Sequence, residues 1–89
     1  MSEVQLLIRN QLGLHARACA LFVKAASRFK SEITVERDGE SVNGKSIMGV
    51  MMLAAEEGST ITVKAVGPDA DQATAALQEL VDGKFGGEP

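Results

Sequence analysis

The sequence predicts an α+β fold in which a four-stranded antiparallel sheet is covered on one face by three helices. In several short segments apolar residues alternate with polar ones, which is typical of strands with one buried face. Elsewhere the apolar residues recur at three- and four-residue steps, as they do on amphipathic helices. With a strong two-residue hairpin turn at Asp38-Gly39, these patterns predict the order strand, helix, strand, strand, helix, strand, helix.

The first half of the chain contributes three strands and one helix. Residues 4–8 alternate and predict the first strand. Residues 16–29 predict the first helix, and its apolar set is Ala18, Leu21, Phe22, Ala25 and Phe29. Ile33 and Val35 mark the second strand, and Ser41 begins the third strand on the far side of the hairpin turn.

The second half contributes two helices and the last strand. Ser46 is a favoured N-cap residue, and it precedes a short helix whose apolar set is Ile47, Val50, Met51 and Ala54. Residues 60–65 alternate as a strand. Asp69 and Gln72 have capping-box spacing and predict the start of a third helix, with a buried stripe of Ala73, Leu77, Leu80 and Val81.

Length and composition limit the class of protein. A chain of 89 residues forms one domain, here residues 1–89, and we expect residues 86–89 to be a frayed tail. No apolar run approaches the roughly 20 residues that span a bilayer, and we expect neither a leader nor a membrane partner. The single cysteine fits a reducing compartment, so we expect a cytoplasmic protein. A net charge of -3 and the absence of Trp and Tyr disfavour nucleic-acid binding.

One motif suggests nucleotide binding, but its surroundings argue against it. From Gly39 to Ser46 the chain satisfies the pattern G-x-x-x-x-G-K-S of a P-loop. A P-loop needs a buried strand before it and a long helix after it, whereas Gly39 lies in a predicted hairpin turn and residues 40–43 form its return strand. The sequence therefore predicts that this stretch binds no nucleotide.

The histidine at the start of the first predicted helix points to phosphoryl chemistry. A neutral imidazole is a good nucleophile, and His15 is the only histidine of the chain. The free backbone amides of Ala16 and Arg17, with the helix dipole, favour an anion at this position. The Arg17 side chain adds a possible charge-assisted contact to phosphoryl oxygens. The spacing alone favours the simpler alternative, an exposed histidine at a helix start and a solvated arginine.

Two separated motifs make this sequence resemble a known family. The stretch NQLGLHARACALFVKAAS, residues 10–27, resembles the active-site segment of the bacterial phosphocarrier protein HPr family, whose usual form is GLHARPA. The stretch NGKSIMGVMMLAA, residues 43–55, is similar to the family's regulatory-serine segment and the helix after it. The resemblance covers essentially the whole chain and implies an open-faced β-sandwich.

This resemblance implies a phosphoryl shuttle rather than a self-contained enzyme. In the family, enzyme I transfers phosphate from phosphoenolpyruvate to Nδ1 of the histidine that matches His15, and HPr passes it to an enzyme IIA protein. Arg17 matches the arginine that attends the phosphoryl group. Ser46 matches a serine that an HPr kinase/phosphorylase modifies in many members. We expect a monomer that needs neither a cofactor nor a metal, since His15 and Cys19 alone make no zinc site.

The resemblance also implies a docking surface. Ile47, Met48 and Met52 match positions that form an exposed apolar patch for partners, and methionine suits a surface that meets several proteins. Lys24 and Lys45 are expected to lie at its rim. Burial in the core is the alternative for some of these apolar side chains.

One departure from the family pattern leaves a second function open. The family proline after the arginine is Ala18 here, and we expect its absence to loosen the phosphate site because proline restricts the first turn of a helix. Ala18, together with a likeness to nitrogen-type paralogues around Ser46, is compatible with a regulatory binding protein that phosphorylation switches and that serves no sugar transport. A third alternative is an unrelated ligand-binding module.

Overall fold

The computed structural model describes all 89 residues and has the predicted order of strands and helices. The elements are β1 (Ser2–Leu7), α1 (Ala16–Ala26), β2 (Glu32–Arg37), β3 (Glu40–Asn43), α2 (Ile47–Met52), β4 (Thr60–Val66), α3 (Ala70–Asp82) and the single turn α4 (Lys84–Gly87). The four strands form one sheet in the order β1-β4-β2-β3, and every neighbouring pair is antiparallel. The predicted fold class, an open-faced β-sandwich, is confirmed.

The sheet has one buried face and one open face. Alternate residues of β1, β2 and β4 point into a core of 20 buried hydrophobic residues, where Val35, Ile61 and Val63 are fully enclosed. On the open face Lys64 Nζ lies 3.7 Å from Glu36 Oε1 on the neighbouring strand. The period of two in the sequence thus corresponds to a sheet that the helices cover on one side only.

The hairpin has its predicted turn, and the first two helices begin where they were predicted but end earlier. Asp38 and Gly39 both have positive φ, 51° and 84°, as a tight hairpin turn of two residues requires. Helix α1 ends at Ala26 rather than Phe29, because residues 28 and 29 donate to carbonyls three residues back. Helix α2 ends at Met52, and positive φ at Ala54 turns the chain away. None of the helices has both the length and the apolar character needed to cross a membrane.

The predicted capping box of α3 is wrong. The Asp69 side chain makes no bond to its own helix; its carboxylate accepts hydrogen bonds from the Ser31 hydroxyl at 2.6 Å and from the backbone amides of Lys30 and Ser31 at 2.9 and 3.0 Å. These donors, the hydroxyl foremost, lower the pKa of Asp69 from 3.8 to about 2. Asp69 therefore joins the start of α3 to the turn before β2.

The predicted frayed tail also differs from the structure. Residues 84–87 all have positive φ, between 54° and 103°, so α4 is a left-handed turn that reverses the chain after α3. This reversal buries Phe85 to 3% exposure. Beyond it, the Pro89 carbonyl oxygen accepts a hydrogen bond from Asn10, and Glu88 lies beside Arg17. The burial of Phe85 and two polar contacts thus hold residues 86–89, whose composition alone predicts a frayed tail.

Candidate functional site

The loop between β1 and α1 rests on the segment that follows α2. The Leu14 amide donates to the Ala55 carbonyl at 2.9 Å. Gly13 has φ of +64°, and a Cβ atom there would lie 2.3 Å from the Ala55 oxygen, so only glycine fits. The two motifs are therefore in contact, because Ala55 at the end of the second motif packs against Gly13 and Leu14 in the first.

Two side chains hold this loop in shape, Asn10 from within the loop and Cys19 from α1. Asn10 is buried at 1% exposure, and its Nδ2 donates to the Gly13 carbonyl at 2.6 Å while the Gly13 amide donates back to the Asn10 carbonyl. The Cys19 thiol donates to the Leu14 carbonyl at 3.2 Å, and burial raises its pKa to about 11. Sequence reasoning did not assign a role to Asn10. An asparagine three residues before a glycine is a turn signal by which it can be recognised.

His15 is the N-cap residue of α1, but its side chain caps nothing. Its backbone is extended, with φ of −74° and ψ of 174°, and its carbonyl accepts the first helical hydrogen bond, from Cys19. The amides of Ala16, Arg17 and Ala18 consequently donate to no group of the protein. The imidazole of His15 is half-buried. Its Nε2 atom is buried and makes no hydrogen bond, so Nδ1 is the ring nitrogen that faces outward.

Arg17 stands on the exposed side of the first turn of α1. Its side chain is 75% exposed, and its Nε lies 3.5 Å from Glu88 Oε1, whose side chain is 20% exposed. The guanidinium is therefore available to an anion at the helix N-terminus, while a carboxylate of the same chain already neighbours it. Sequence reasoning missed Glu88, because nothing local to residues 86–89 indicates that they return to α1.

Ser46 begins α2 as predicted. Its Oγ accepts a hydrogen bond from the Gly49 amide at 3.1 Å, which makes it a true N-cap. The P-loop alternative is excluded by the same stretch of chain: Gly44 packs so closely against Ile33 that a Cβ atom would approach a side-chain carbon to 2.6 Å. The Lys45 ammonium donates to the Phe29 carbonyl at 2.7 Å. No backbone loop is free here to enclose a phosphate chain.

Helix α2 exposes most of its apolar residues. Val50 is its one buried residue, whereas Met48 and Met52 are 72% and 66% exposed and Ile47 is 44% exposed. Met51, a member of the apolar set that predicted this helix, is 39% exposed. Leu12, in the loop before His15, is 60% exposed and had no predicted role. Helix α2 packs on α1, and Lys24 of α1 is exposed.

The chain matches the family model described as "PTS HPr component phosphorylation site" over residues 2–82. It is 52% identical over 79 residues to the phosphocarrier protein HPr of Neisseria meningitidis serogroup A, which covers 89% of each chain. A crystal structure of HPr from Thermoanaerobacter tengcongensis superposes with a TM-score of 0.95 at 48% identity and covers 100% of both chains. Crh of Bacillus subtilis, a catabolite repression protein crystallised as a swapped dimer, has a TM-score of 0.76 and 42% identity over 94% of this chain and 97% of its own. The chain therefore belongs to the HPr family, the phosphocarrier proteins of the phosphotransferase system.

Proposed function

We propose that this protein carries a phosphoryl group on Nδ1 of His15, accepting it from phospho-enzyme I and passing it to an enzyme IIA protein. The observation that carries the proposal is the uncapped N-terminus of α1. His15 presents its outward ring nitrogen beside three unbonded backbone amides, on a loop that Gly13 and Asn10 hold in place. Family membership supplies the phosphocarrier role, and the geometry supports His15 as the group that performs it.

The transfer exchanges one phosphorus–nitrogen bond for another. The lone pair on Nδ1 of neutral His15 attacks the phosphorus of the donor's phosphohistidine, and the donor's P–N bond breaks with its electron pair returning to the donor ring. The proton stays on Nε2, so the His15 ring becomes cationic as the donor ring becomes neutral. Because the bonds broken and formed are of the same kind, the reaction is reversible and nearly isoenergetic.

The amides of Ala16 and Arg17 and the Arg17 guanidinium are the groups that compensate the new charge. A phosphoryl group adds about −1.5 to −2 charges at neutral pH. Backbone amides at a helix N-terminus and the helix dipole favour an anion at that place. The guanidinium, at 75% exposure, reaches phosphoryl oxygens without burying the group, which suits a phosphate that must leave again. Proline, the usual family residue at this position, has no backbone N–H, so the Ala18 amide gives this chain one more donor.

Ser46 is the proposed regulatory phosphorylation site. Its Oγ already accepts the Gly49 amide, so a phosphate there keeps the helix dipole as a favourable partner. The same phosphate places negative charge beside the exposed Ile47 and Met48. We infer that an HPr kinase/phosphorylase modification at Ser46 inhibits docking of enzyme I by charge. Enzyme I phosphorylating Ser46→Asp at the unmodified rate would contradict this mechanism.

The proposed docking surface consists of Ile47, Met48 and Met52 with Lys24 at its rim. Exposed methionines adapt to more than one partner, as a carrier between two proteins requires. Lys45 contributes less free charge than the sequence suggested, since its ammonium already donates to the Phe29 carbonyl. One chain contains His15, Arg17 and Ser46, which supports a monomer as the acting form, in the cytoplasm where its family partners act; the relative Crh was crystallised as a swapped dimer.

The second candidate is a regulatory binding protein switched by phosphorylation and uncoupled from sugar transport. Its support is the likeness to Crh, the catabolite repression protein, at 42% identity. Phosphoryl passage from His15 to an enzyme IIA protein separates the two functions, because a carrier discharges to the acceptor and a switch does not.

Incubation with phosphoenolpyruvate and a cognate enzyme I, followed by intact-mass measurement, tests the proposal. We expect an acid-labile gain of one phosphoryl group that is absent in His15→Ala and unchanged in Ser46→Ala. A wild-type protein that gains no phosphoryl group, or a His15→Ala variant that still gains one, contradicts the carrier function.

A further inference from the structure

We infer that residues 84–89, the C-terminal strap, compete with the phosphoryl group for Arg17, so that phosphorylation of His15 displaces Glu88. The inference rests on the proposed function and concerns the regulation of the same site. It begins from the ion pair between Arg17 Nε and Glu88 Oε1, which lie 3.5 Å apart in the unmodified protein. The carboxylate of Glu88 is an anion next to the guanidinium that we assign to phosphoryl oxygens.

The left-handed turn α4 fixes the direction of the strap. Four consecutive residues with positive φ reverse the chain, and the Glu88 amide closes the turn by donating to the Lys84 carbonyl at 2.8 Å. Phe85 enters the core at 3% exposure. The base of the strap is thus held by burial, whereas Glu88 beyond it has extended backbone angles.

A single amide group joins the strap to the loop that carries His15. Asn10 Nδ2 donates both to the Gly13 carbonyl at 2.6 Å and to the Pro89 carbonyl at 3.0 Å. A displacement of the Gly13 or the Pro89 carbonyl therefore alters a hydrogen bond of Asn10. The strap and the loop are therefore neighbours in space although they lie at opposite ends of the chain.

The junction of strap and loop is the incompletely bonded part of the molecule. The three buried side-chain polar atoms without a hydrogen bond are Asn10 Oδ1, His15 Nε2 and Glu88 Oε1, and all belong to this junction. Elsewhere buried side-chain polar atoms have partners, such as the Ser31 hydroxyl on Asp69. Because these atoms make no hydrogen bonds to one another, few hydrogen bonds are lost when the strap and the loop separate.

The charges give the direction of the effect. A phosphoryl group with nearly two negative charges is the stronger anion for Arg17, and it repels the carboxylate that it displaces. Phosphorylation of His15 therefore breaks the ion pair between Arg17 and Glu88. The Arg17 side chain is 75% exposed, so solvent screens the pair, and we expect removal of the Glu88 charge to shift the phosphorylation equilibrium by about two- to fivefold toward the phosphorylated protein.

The experiment compares Glu88→Gln with Glu40→Gln, which removes the same charge from the exposed start of β3. Each protein is equilibrated with enzyme I in fixed ratios of phosphoenolpyruvate to pyruvate, and the phosphorylated fraction is read by intact mass. We expect the ratio of phosphorylated to free protein to rise about two- to fivefold in Glu88→Gln, and less at high salt, with the Glu40→Gln ratio near that of the wild type. In the wild type, the Glu88 amide and Arg17 Nε–H resonances shift on phosphorylation.

Two results overturn the inference and remain distinguishable. If the wild type is phosphorylated on His15 but Glu88→Gln has the same equilibrium ratio, the strap does not compete while the carrier function stands. If the wild type gains no phosphoryl group at all, both the carrier function and the competition are wrong. A resonance of the Glu88 amide that does not move on phosphorylation also excludes displacement.

Discussion

Helices α1 and α2 lie side by side, and their N-terminal residues act in opposite ways. Ser46 caps the N-terminus of α2 with its own hydroxyl, which accepts one of the free amides, that of Gly49. His15 leaves the N-terminus of α1 unsatisfied, with its imidazole turned outward and the next three amides unbonded. The difference teaches that a serine stabilises its helix and a histidine at the same position keeps donors available for a ligand. In the proposed function, helix stabilisation and anion binding are thus divided between the N-termini of two helices that pack together.

Substitution of a glycine near each N-terminus, Gly13 before α1 and Gly49 in the first turn of α2, separates the two most strongly. Gly13→Ala places a side chain at φ of +64° against the Ala55 oxygen, and we expect a loss of about 2–4 kcal/mol of unfolding free energy. Gly49→Ala is the matched control, because its Cβ meets its nearest neighbours at 3.4 Å and alanine favours a helix; we expect a change within about 1 kcal/mol. Urea unfolding followed by circular dichroism measures both. Equal losses would contradict the close packing of Gly13.

Alanine substitution of the two N-cap residues comes next in size. Ser46→Ala removes the bond to the Gly49 amide, so we expect a loss of about 1 kcal/mol of unfolding free energy. His15→Ala removes no capping bond, and we expect less than about 0.5 kcal/mol. The order of phosphoryl acceptance is the reverse, since only His15→Ala abolishes it. An unfolding series in which His15→Ala loses as much as Ser46→Ala would show that the imidazole stabilises α1 after all.

Proline at position 18 tests how the open end of α1 is held. The Ala18 amide bonds no acceptor, so Ala18→Pro sacrifices no hydrogen bond, and we expect the restricted unfolded chain to raise stability by about 0.4–1 kcal/mol. Ala20→Pro is the control, because position 20 lies beyond the first turn and proline there costs about 3 kcal/mol. Thermal unfolding distinguishes them. A destabilised Ala18→Pro would show that the buried site has no space for the ring.

A third helix N-terminus provides a pH test. Hydrogen bonds from the Ser31 hydroxyl and the Lys30 amide lower the Asp69 pKa from 3.8 to about 2. A lowered pKa in the folded state means that the contribution is complete above about pH 4 and is lost as the pH falls toward 2. We expect Asp69→Asn to flatten the dependence of stability on pH in this window, while Asp71→Asn does not. Urea midpoints measured between pH 2 and 5 check this; a slope that Asp69→Asn leaves intact contradicts it.

Local patterns predicted most of the fold and the centre of the candidate site. The alternation of Ile33 and Val35, the turn at Asp38-Gly39 and the cap at Ser46 all depend on residues close together in the chain, and the structure has each of them. Predictions failed where a distant partner decided the outcome. Asp69 bonds residues 30 and 31 instead of its own helix.

The sequence by itself determined the order of the elements, the face that each strand buries, and the histidine and serine at two helix starts. These properties follow from side-chain period and capping chemistry, which act over a few residues. Only the tertiary structure decided that Gly13 rests on Ala55, that Asn10 links the loop to Pro89, and that Glu88 lies beside Arg17. Residues 10 and 89 are adjacent because Phe85 packs into the core and a left-handed turn returns the chain. Such long-range contacts depend on the packing of the whole domain, and no local pattern contains them.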